Sequence, residues 1–329
     1  MIDRPPMSTC RLNLGSLSAR VSCRSSFHPD ALAELFCAPA TPLSGAAARP
    51  DIEIIFIEAD RHAPQAAPAL TVPEDSLVIV DSPAAQEVHS EALSVRLFRS
   101  ETPVRIIATV LGDGMSERDF KVHLSVVFFK VLALLDRLIL HAAAVDFGGA
   151  VSIFLGGKGS GKSTTCLQLA RAGGTILAED RVILKKNGGG FFVSGCGDRF
   201  RITAKTEQYF FPAPLQAESL DVEGVLKKQF PAGQFFRSSP YRDYPAARLF
   251  FNHVGGRFRI TPISKGEALV NLLRETRAWH RFVGGQDHGR HLSYLRECVE
   301  ALPAFRLELS PDLGESAKLA DFLAGPCDP

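Results

Sequence analysis

The chain is poor in the residues that mark several protein classes. Its 329 residues include one Trp, three Met, four Tyr and seven Cys. The cysteines (Cys10, Cys23, Cys37, Cys166, Cys196, Cys298, Cys327) are odd in number, widely spaced and without any C-x-x-C pair. They read as reduced thiols, which excludes a disulfide framework and a zinc site. Long apolar runs are missing too. The longest, Leu124 to Val145, is interrupted by Lys130, Asp136 and Arg137, and no run reaches the roughly 18 residues that a membrane span needs. The first segment carries Asp3, Arg4, Arg11, Arg20 and Arg24 with no continuous apolar core between them, so it does not read as a secretory signal and the cytoplasm is the expected compartment. Neither sign of charge dominates. The 37 Lys+Arg against 36 Asp+Glu leave +1, which supplies no general field for nucleic acid or an anionic membrane surface. No internal repeat is present.

What remains is the composition of a folded protein of one or two domains, 46% hydrophobic and 22% charged. Residues 1–115 read as a small β-rich module, with strands expected at Ile52 to Ile57, Leu77 to Val80 and Leu93 to Phe98 between loops rich in Pro and Ala. Residues 116–329 read as the larger domain. Ser116 and Asp119 are spaced as a capping box for a buried helix from Phe120 to about Asp136. One strand is expected over Leu138 to Phe147 and another over Ala150 to Leu155, joined in a tight hairpin by Gly148-Gly149. A helix over Ser163 to Ala172, a strand over Thr175 to Leu177 and strands at Val182 to Lys186 and Phe191 to Ser194 follow. The proline-bearing stretch 205–247 reads as a long loop or small insertion. Strands at Arg248 to Phe251, Phe258 to Pro262 and Phe305 to Leu309 and helices at Ala268 to Trp279, Gly289 to Ala301 and Glu315 to Ala324 complete the pattern, with Ser264 and Glu267 as a second capping box.

Gly156-Gly157-Lys158-Gly159-Ser160-Gly161-Lys162-Ser163, followed by Thr164, fits G-x-x-x-x-G-K-[ST] between an apolar strand and a helix. Glycines let successive backbone N–H groups turn toward phosphate oxygens, and the helix start adds its positive dipole end. Lys162 then supplies a point charge to the β- and γ-phosphates, and Ser163 is placed to ligate Mg²⁺. The expected ligand is a nucleotide triphosphate. Glu179 and Asp180 end the next strand, whose carboxyl end lies beside the phosphates if it runs parallel to the first. One of these acids can hold Mg²⁺ while the other accepts a proton from an attacking hydroxyl. With Phe147 opposite Ala150, paired residue numbers sum to 297 and His141 faces Gly156. There it can touch the γ-phosphate or a neighbouring carboxylate, or serve as a hydrogen-bonded core histidine. Arg257, Arg259 and the pair Lys227-Lys228 could supply a further cation, and read equally well as solvated charges.

The order Leu140-His141-Ala142, Gly156 to Ser163, then Leu177-Ala178-Glu179-Asp180-Arg181-Val182 resembles the catalytic domain of HPr kinase/phosphorylase and its relatives, which include kinases that tailor lasso peptides. The resemblance implies an α/β fold related to phosphoenolpyruvate carboxykinase, in which a mixed sheet carries the P-loop. It also implies transfer of the γ-phosphate of ATP, with Mg²⁺, to a hydroxyl, typically of serine. His141, Lys162, Ser163, Glu179 and Asp180 stand at matching positions. The family usually shows two aspartates where this chain has Glu179-Asp180, and the longer downstream signature that engages HPr is not recognisable here. The resemblance also allows a homo-oligomer, which nothing in the chain itself requires. Three functions follow: a kinase acting on Ser or Thr of a peptide or protein, a kinase of a small-molecule alcohol, and a nucleotide-binding switch or assembly factor with slow hydrolysis.

Overall fold

The computed structural model describes residues 8–14, 17–23, 40–42, 50–59, 70–72, 77–81, 85–89, 93–98, 103–111 and 132, and from 135 onward all but 223, 277–284, 311, 313–316 and 326–329. The chain divides into two compact units, residues 1–136 with 279–289 and residues 137–278 with 290–329.

Among the described residues the first unit holds nine strands: β1 (Ser8–Leu14), β2 (Leu17–Cys23), β3 (Ala40–Pro42), β4 (Ile52–Ala59), β5 (Leu70–Val72), β6 (Leu77–Asp81), β7 (Ala85–His89), β8 (Leu93–Phe98) and β9 (Val104–Leu111). They form one sheet in the order β3-β1-β2-β4-β9-β8-β7-β6-β5, with β2, β4 and β9 parallel and the remaining pairs antiparallel. Because successive side chains alternate between faces, register aligns whole rows. Ala19, Ile52 and Val104 form one buried row, and Val21, Ile54 and Ile106 the next. Between them, on the opposite face, Arg20, Glu53 and Arg105 form a charged row, with Arg105 Nε donating to Glu53 at 3.1 Å. The sequence signalled three of these strands, at β4, β6 and β8. The helix expected from Phe120 to about Asp136 lies outside the described residues except at Leu132, which is helical, and at Leu135 and Asp136, which form a turn.

The second unit is built on a mixed sheet. Its strands are β10 (Arg137–Leu140), β11 (Ala142–Phe147), β12 (Ala150–Leu155), β13 (Thr175–Ala178), β14 (Val182–Asn187), β15 (Gly190–Gly195), β19 (Tyr244–Val254), β20 (Arg259–Pro262) and β21 (Ala304–Leu309). The order is β10-β14-β15-β19-β12-β11-β13, with β21 joining β19 and β20 at its margin. Strands β12, β19 and β21 are parallel. Both faces are covered, so these strands are apolar at nearly every position. Ile153, Leu155, Leu249 and Phe251 pack toward α3 (Lys265–Glu275) and α4 (Gly285–Ala301) through Ala268, Leu272, Leu295 and Val299. On the other face Phe154, Phe250 and Leu307 pack with α1 (Lys162–Arg171) and α5 (Ala317–Ala324) through Leu167, Leu169, Leu319 and Leu323. Phe154 stacks on Phe250 at 5.2 Å between ring centres, and Phe250 on Phe305 at 5.3 Å. Of the second capping box the N-cap half forms, Glu267 N–H donating to Ser264 Oγ at 3.2 Å at the start of α3, while the Glu267 carboxylate accepts from Arg306.

Two expectations are corrected. The stretch 205–247 is not a long loop: it supplies most of α2 (Ala204–Phe210), the strands β17 (Glu218–Val222) and β18 (Val225–Pro231) and the start of β19. With β16 (Arg199–Thr203) these two strands make a separate sheet, ordered β16-β18-β17. Its inner face is core, through Phe200, Ile202 and Phe230. The prolines sit at strand ends and turns, where no ladder N–H is lost. The single strand expected over Leu138 to Phe147 is broken at His141, where β10 on β14 gives way to β11 on β12 and β13. Among the described residues no helix is long and apolar enough to cross a membrane.

Candidate active site

Strand β12 delivers the chain at Leu155 into the glycine-rich segment, and α1 begins at Lys162. Two glycines are required sterically. Gly156 has φ +142°, and a Cβ there would sit 2.6 Å from Ser160 Oγ and 2.8 Å from the Asn252 carbonyl. Gly161 precedes the helix in the left-handed region at φ +91°, and a Cβ would fall 2.4 Å from Leu309 Cδ1. Asn252 of β19 anchors the far end of the turn: its Nδ2 donates to Thr165 Oγ1 at 3.2 Å, which donates to the Gly161 carbonyl at 2.9 Å.

Lys162 is buried, only 8% exposed. Its ammonium donates to the carbonyl of Gly156 and, at 3.2 Å, to that of Gly157, so it sits inside the turn. Burial lowers its pKa. Lys158, Gly157 and Gly159 are exposed at the tip, and Ser160, Ser163 and Thr164 are half-buried.

The acids arrive by a route the sequence did not foresee. Strand β13 is not adjacent to β12; β11 lies between and is antiparallel to both. Two reversals restore the direction, so β13 and β12 run the same way and their carboxyl ends share an edge. The hairpin register is the one expected from Gly148-Gly149, running from Phe147 opposite Ala150 to Ala142 opposite Leu155. His141 therefore emerges beside the glycine turn, and the next amide, Ala142 N–H, donates to the Asp180 carbonyl at 3.1 Å.

Glu179 and Asp180 are separated by environment. Glu179 is buried and accepts a hydrogen bond from Ser163 Oγ. Burial first, then the neighbouring Asp180 charge, push its pKa up to about 7 against that bond. Asp180 is 38% exposed in its side chain, and His141, 41% exposed, places Nε2 3.0 Å from its Oδ1. Burial alone would raise Asp180, but the His141 hydrogen bond and charge, with Arg181 and Arg201, override it and hold the carboxyl well below the usual carboxylate range. Arg181 Nε lies 3.7 Å from Asp180 Oδ2.

Among the described residues no group of three or more His, Cys, Asp and Glu forms a cage for a metal. The donor set is instead one hydroxyl and two adjacent carboxylates, all oxygen. That set fits Mg²⁺, which typically takes one or two carboxylates and completes its shell with water and substrate phosphate.

Of the other cations considered, Arg257 and Arg259 are exposed. Lys228 is committed to structure, donating to Glu207 Oε1 at 2.8 Å and the Leu215 carbonyl at 2.7 Å. Lys227 lies near enough to act on the charges of both Lys162 and Glu179. Sequence reasoning missed Asn252, Thr165 and Arg201. For Arg201 the alternation of Phe200 and Ile202 around it was the available signal; Asn252 had none. Cys166, Cys196 and Cys298 are buried thiols outside any disulfide.

No family model and no curated protein matches the chain. Among solved structures it is similar to the HPr(Ser) kinase/phosphatase from Coxiella burnetii, at 10% identity and a TM-score of 0.30 over 56% of this chain and 87% of that one. That likeness is distant and carries no argument about activity.

Proposed function

We propose that the chain is an ATP-dependent kinase that transfers the γ-phosphate to a hydroxyl, most simply that of a Ser or Thr in a peptide or protein. One observation carries this reading: a strand–glycine turn–helix motif ends in Lys162-Ser163, and directly against it stand a buried carboxylate bonded to Ser163 and a solvent-reaching His141–Asp180 pair. A site that only gripped a nucleotide would need the first part. The second part is what a transfer reaction adds.

Each residue has a task in this reading. The amides of the turn and the Lys162 ammonium bind and orient the phosphates. Ser163 and Glu179 would hold Mg²⁺, with Asp180 beside them. When bound, the ion neutralises charge on the phosphate oxygens. The acceptor oxygen forms its bond to the γ-phosphorus as the bond from that phosphorus to the β,γ-bridging oxygen breaks. ADP leaves with the electron pair, and the hydroxyl proton passes to the His141–Asp180 pair. Exposure supports giving the proton to this pair, since an acceptor chain can reach His141 and Asp180 but not Glu179.

The test is incubation with γ-labelled ATP and Mg²⁺ alongside a library of Ser/Thr peptides. Label on peptide is the expected outcome. Label on a small alcohol would keep the chemistry and change the acceptor, whereas free phosphate alone, or no turnover, would favour a nucleotide-dependent switch and defeat the kinase reading.

A further inference from the structure

Strand β19 meets both ends of the glycine turn. Leu155, the last residue of β12, pairs with Phe251, so Gly156 leaves the strand beside Asn252, whose carbonyl would stand 2.8 Å from a Cβ at Gly156. At the other end a Cβ on Gly161 would meet Leu309 Cδ1 at 2.4 Å and Val254 Cγ2 at 3.8 Å. The pairing of β19 with β21, continued by Gly255 N–H donating to the Leu309 carbonyl at 2.9 Å, makes these residues one support. Side-chain bonds then tie that support to the helix. Asn252 Nδ2 donates to Thr165 Oγ1 at 3.2 Å. The Gly161 carbonyl accepts from Thr165 twice, from its N–H at 2.8 Å and from its Oγ1 at 2.9 Å. A chain of donors thus runs from β19 through one hydroxyl to the glycine that opens α1, and in a buried site such bonds strengthen one another.

Packing alone does not call for an amide at this position. Phe250, two residues back on the same face of β19, and Leu307, directly opposite on β21, are both core residues. Asn252 is only 7% exposed, and its Oδ1 is buried without a hydrogen-bond partner among the described residues. A leucine of similar size would carry no such unmet acceptor. The Nδ2 bond to Thr165 is what the amide supplies and a leucine cannot.

We propose that Asn252 and Thr165, both outside the Gly156–Ser163 motif, are positioning residues that fix the shape of the phosphate-binding turn from the sheet side. They act through Gly161. Holding its carbonyl keeps the amides that follow, at the start of α1, aimed at phosphate, and a cradle shaped beforehand has less order to gain on binding. This role rests on the nucleotide reading above and adds to it two residues that the spacing of the glycine motif does not include.

Titration calorimetry on the full chain with Mg²⁺, using β,γ-imido-ATP and ADP as separate probes, tests this beside urea unfolding of the same variants. Thr165→Val keeps the shape of the side chain and removes its hydroxyl, and is expected to weaken both ligands about tenfold, the size of one buried hydrogen bond. Thr165→Ser keeps the hydroxyl and should bind both within about twofold of wild type. Asn252→Leu should weaken both about three- to tenfold while its urea midpoint stays at or above that of wild type. Because the two residues act through one hydroxyl, the double variant should bind no worse than Thr165→Val alone. Wild-type affinity in Thr165→Val and Asn252→Leu, losses that add in the double variant, or a Thr165→Ser chain as weak as Thr165→Val would each overturn the positioning role with nucleotide binding intact. Absence of binding by the wild-type chain is the separate result that removes the nucleotide reading and this role with it. If Asn252→Leu unfolds, the contrast between Thr165→Val and Thr165→Ser decides.

Discussion

Replacing Glu179 by Gln should make the metal-free protein more stable at alkaline pH and slow its turnover. In the folded chain the Glu179 carboxyl is raised from its ordinary 4.5 to about 7, by burial first and by the Asp180 charge second. The folded state thus keeps a proton that the unfolded state gives up. A raised acid costs stability as pH climbs from the unfolded value to the folded one, and the loss is complete above the latter. At about 1.36 kcal/mol per pH unit, the span from 4.5 to about 7 amounts to about 3 kcal/mol, a sizeable part of the roughly 5–15 kcal/mol that holds a typical domain together. Asp180 works in the opposite sense. Its depressed carboxyl stabilises the fold above its ordinary 3.8 and that contribution fades as pH falls, so it leaves the window between 4.5 and 8 undisturbed. Urea titrations followed by circular dichroism in EDTA, for wild type and Glu179→Gln across that window, give two stability curves. Their difference removes every other titrating group. The difference should grow by about 2–3 kcal/mol toward alkaline pH and then level off near pH 8. A flat difference would refute the idea that Glu179 is buried against its own charge. Turnover in the same variant should fall at least about 10²-fold, as loss of a metal ligand would cause.

Lys162→Ala should abolish transfer and weaken nucleotide binding by about 10²-fold or more in calorimetry, because a buried ammonium in the turn is lost. Asp180→Asn should lower kcat at least about 10²-fold in a labelled-phosphate assay with little change in nucleotide affinity, since it removes a proton acceptor rather than a phosphate contact. His141→Ala frees the Asp180 carboxyl to rise toward its ordinary range, so the acidic limb of the kcat/KM profile should move to higher pH; an unmoved limb would leave His141 as a packing residue. Gly195→Ala would set a Cβ 1.9 Å from the Leu177 carbonyl on β13. Main chain cannot swing aside as a side chain can, so a thermal melt should register a loss of at least about 3 kcal/mol.

The glycine turn, its flanking strand and helix, the Gly148-Gly149 hairpin and the Ser264 cap were legible because each depends on near neighbours in sequence. Backbone freedom at glycine, the two-residue turn and the cap oxygen act over a few residues, and Gly156, Gly161 and Ser264 behave as that physics requires. The strands of the first unit were harder to see. Strand β9 (Val104–Leu111) carries Arg105 and Thr109 among its apolar residues, and its place between β4 and β8 gives Ile106 a buried row to join. Prolines in 205–247 suggested a loop, yet they fall at strand ends and in the turns between elements, and Phe230 of β18 lies in the core.

By itself, then, the sequence determined the glycine turn between strand and helix, the Lys162-Ser163 that ends it and the acids that follow, since those are matters of local geometry and residue order. Tertiary structure alone decided that β11 separates the two key strands, that Glu179 is buried with Ser163 while Asp180 faces His141, and that Arg201 and Lys227 share an outer face whereas Lys228 is drawn to Glu207. The physical reason is that strand register and burial are set by partners far along the chain. One residue of slip would turn Arg201 into the core and Phe200 out of it, and no local propensity records which of the two occurs.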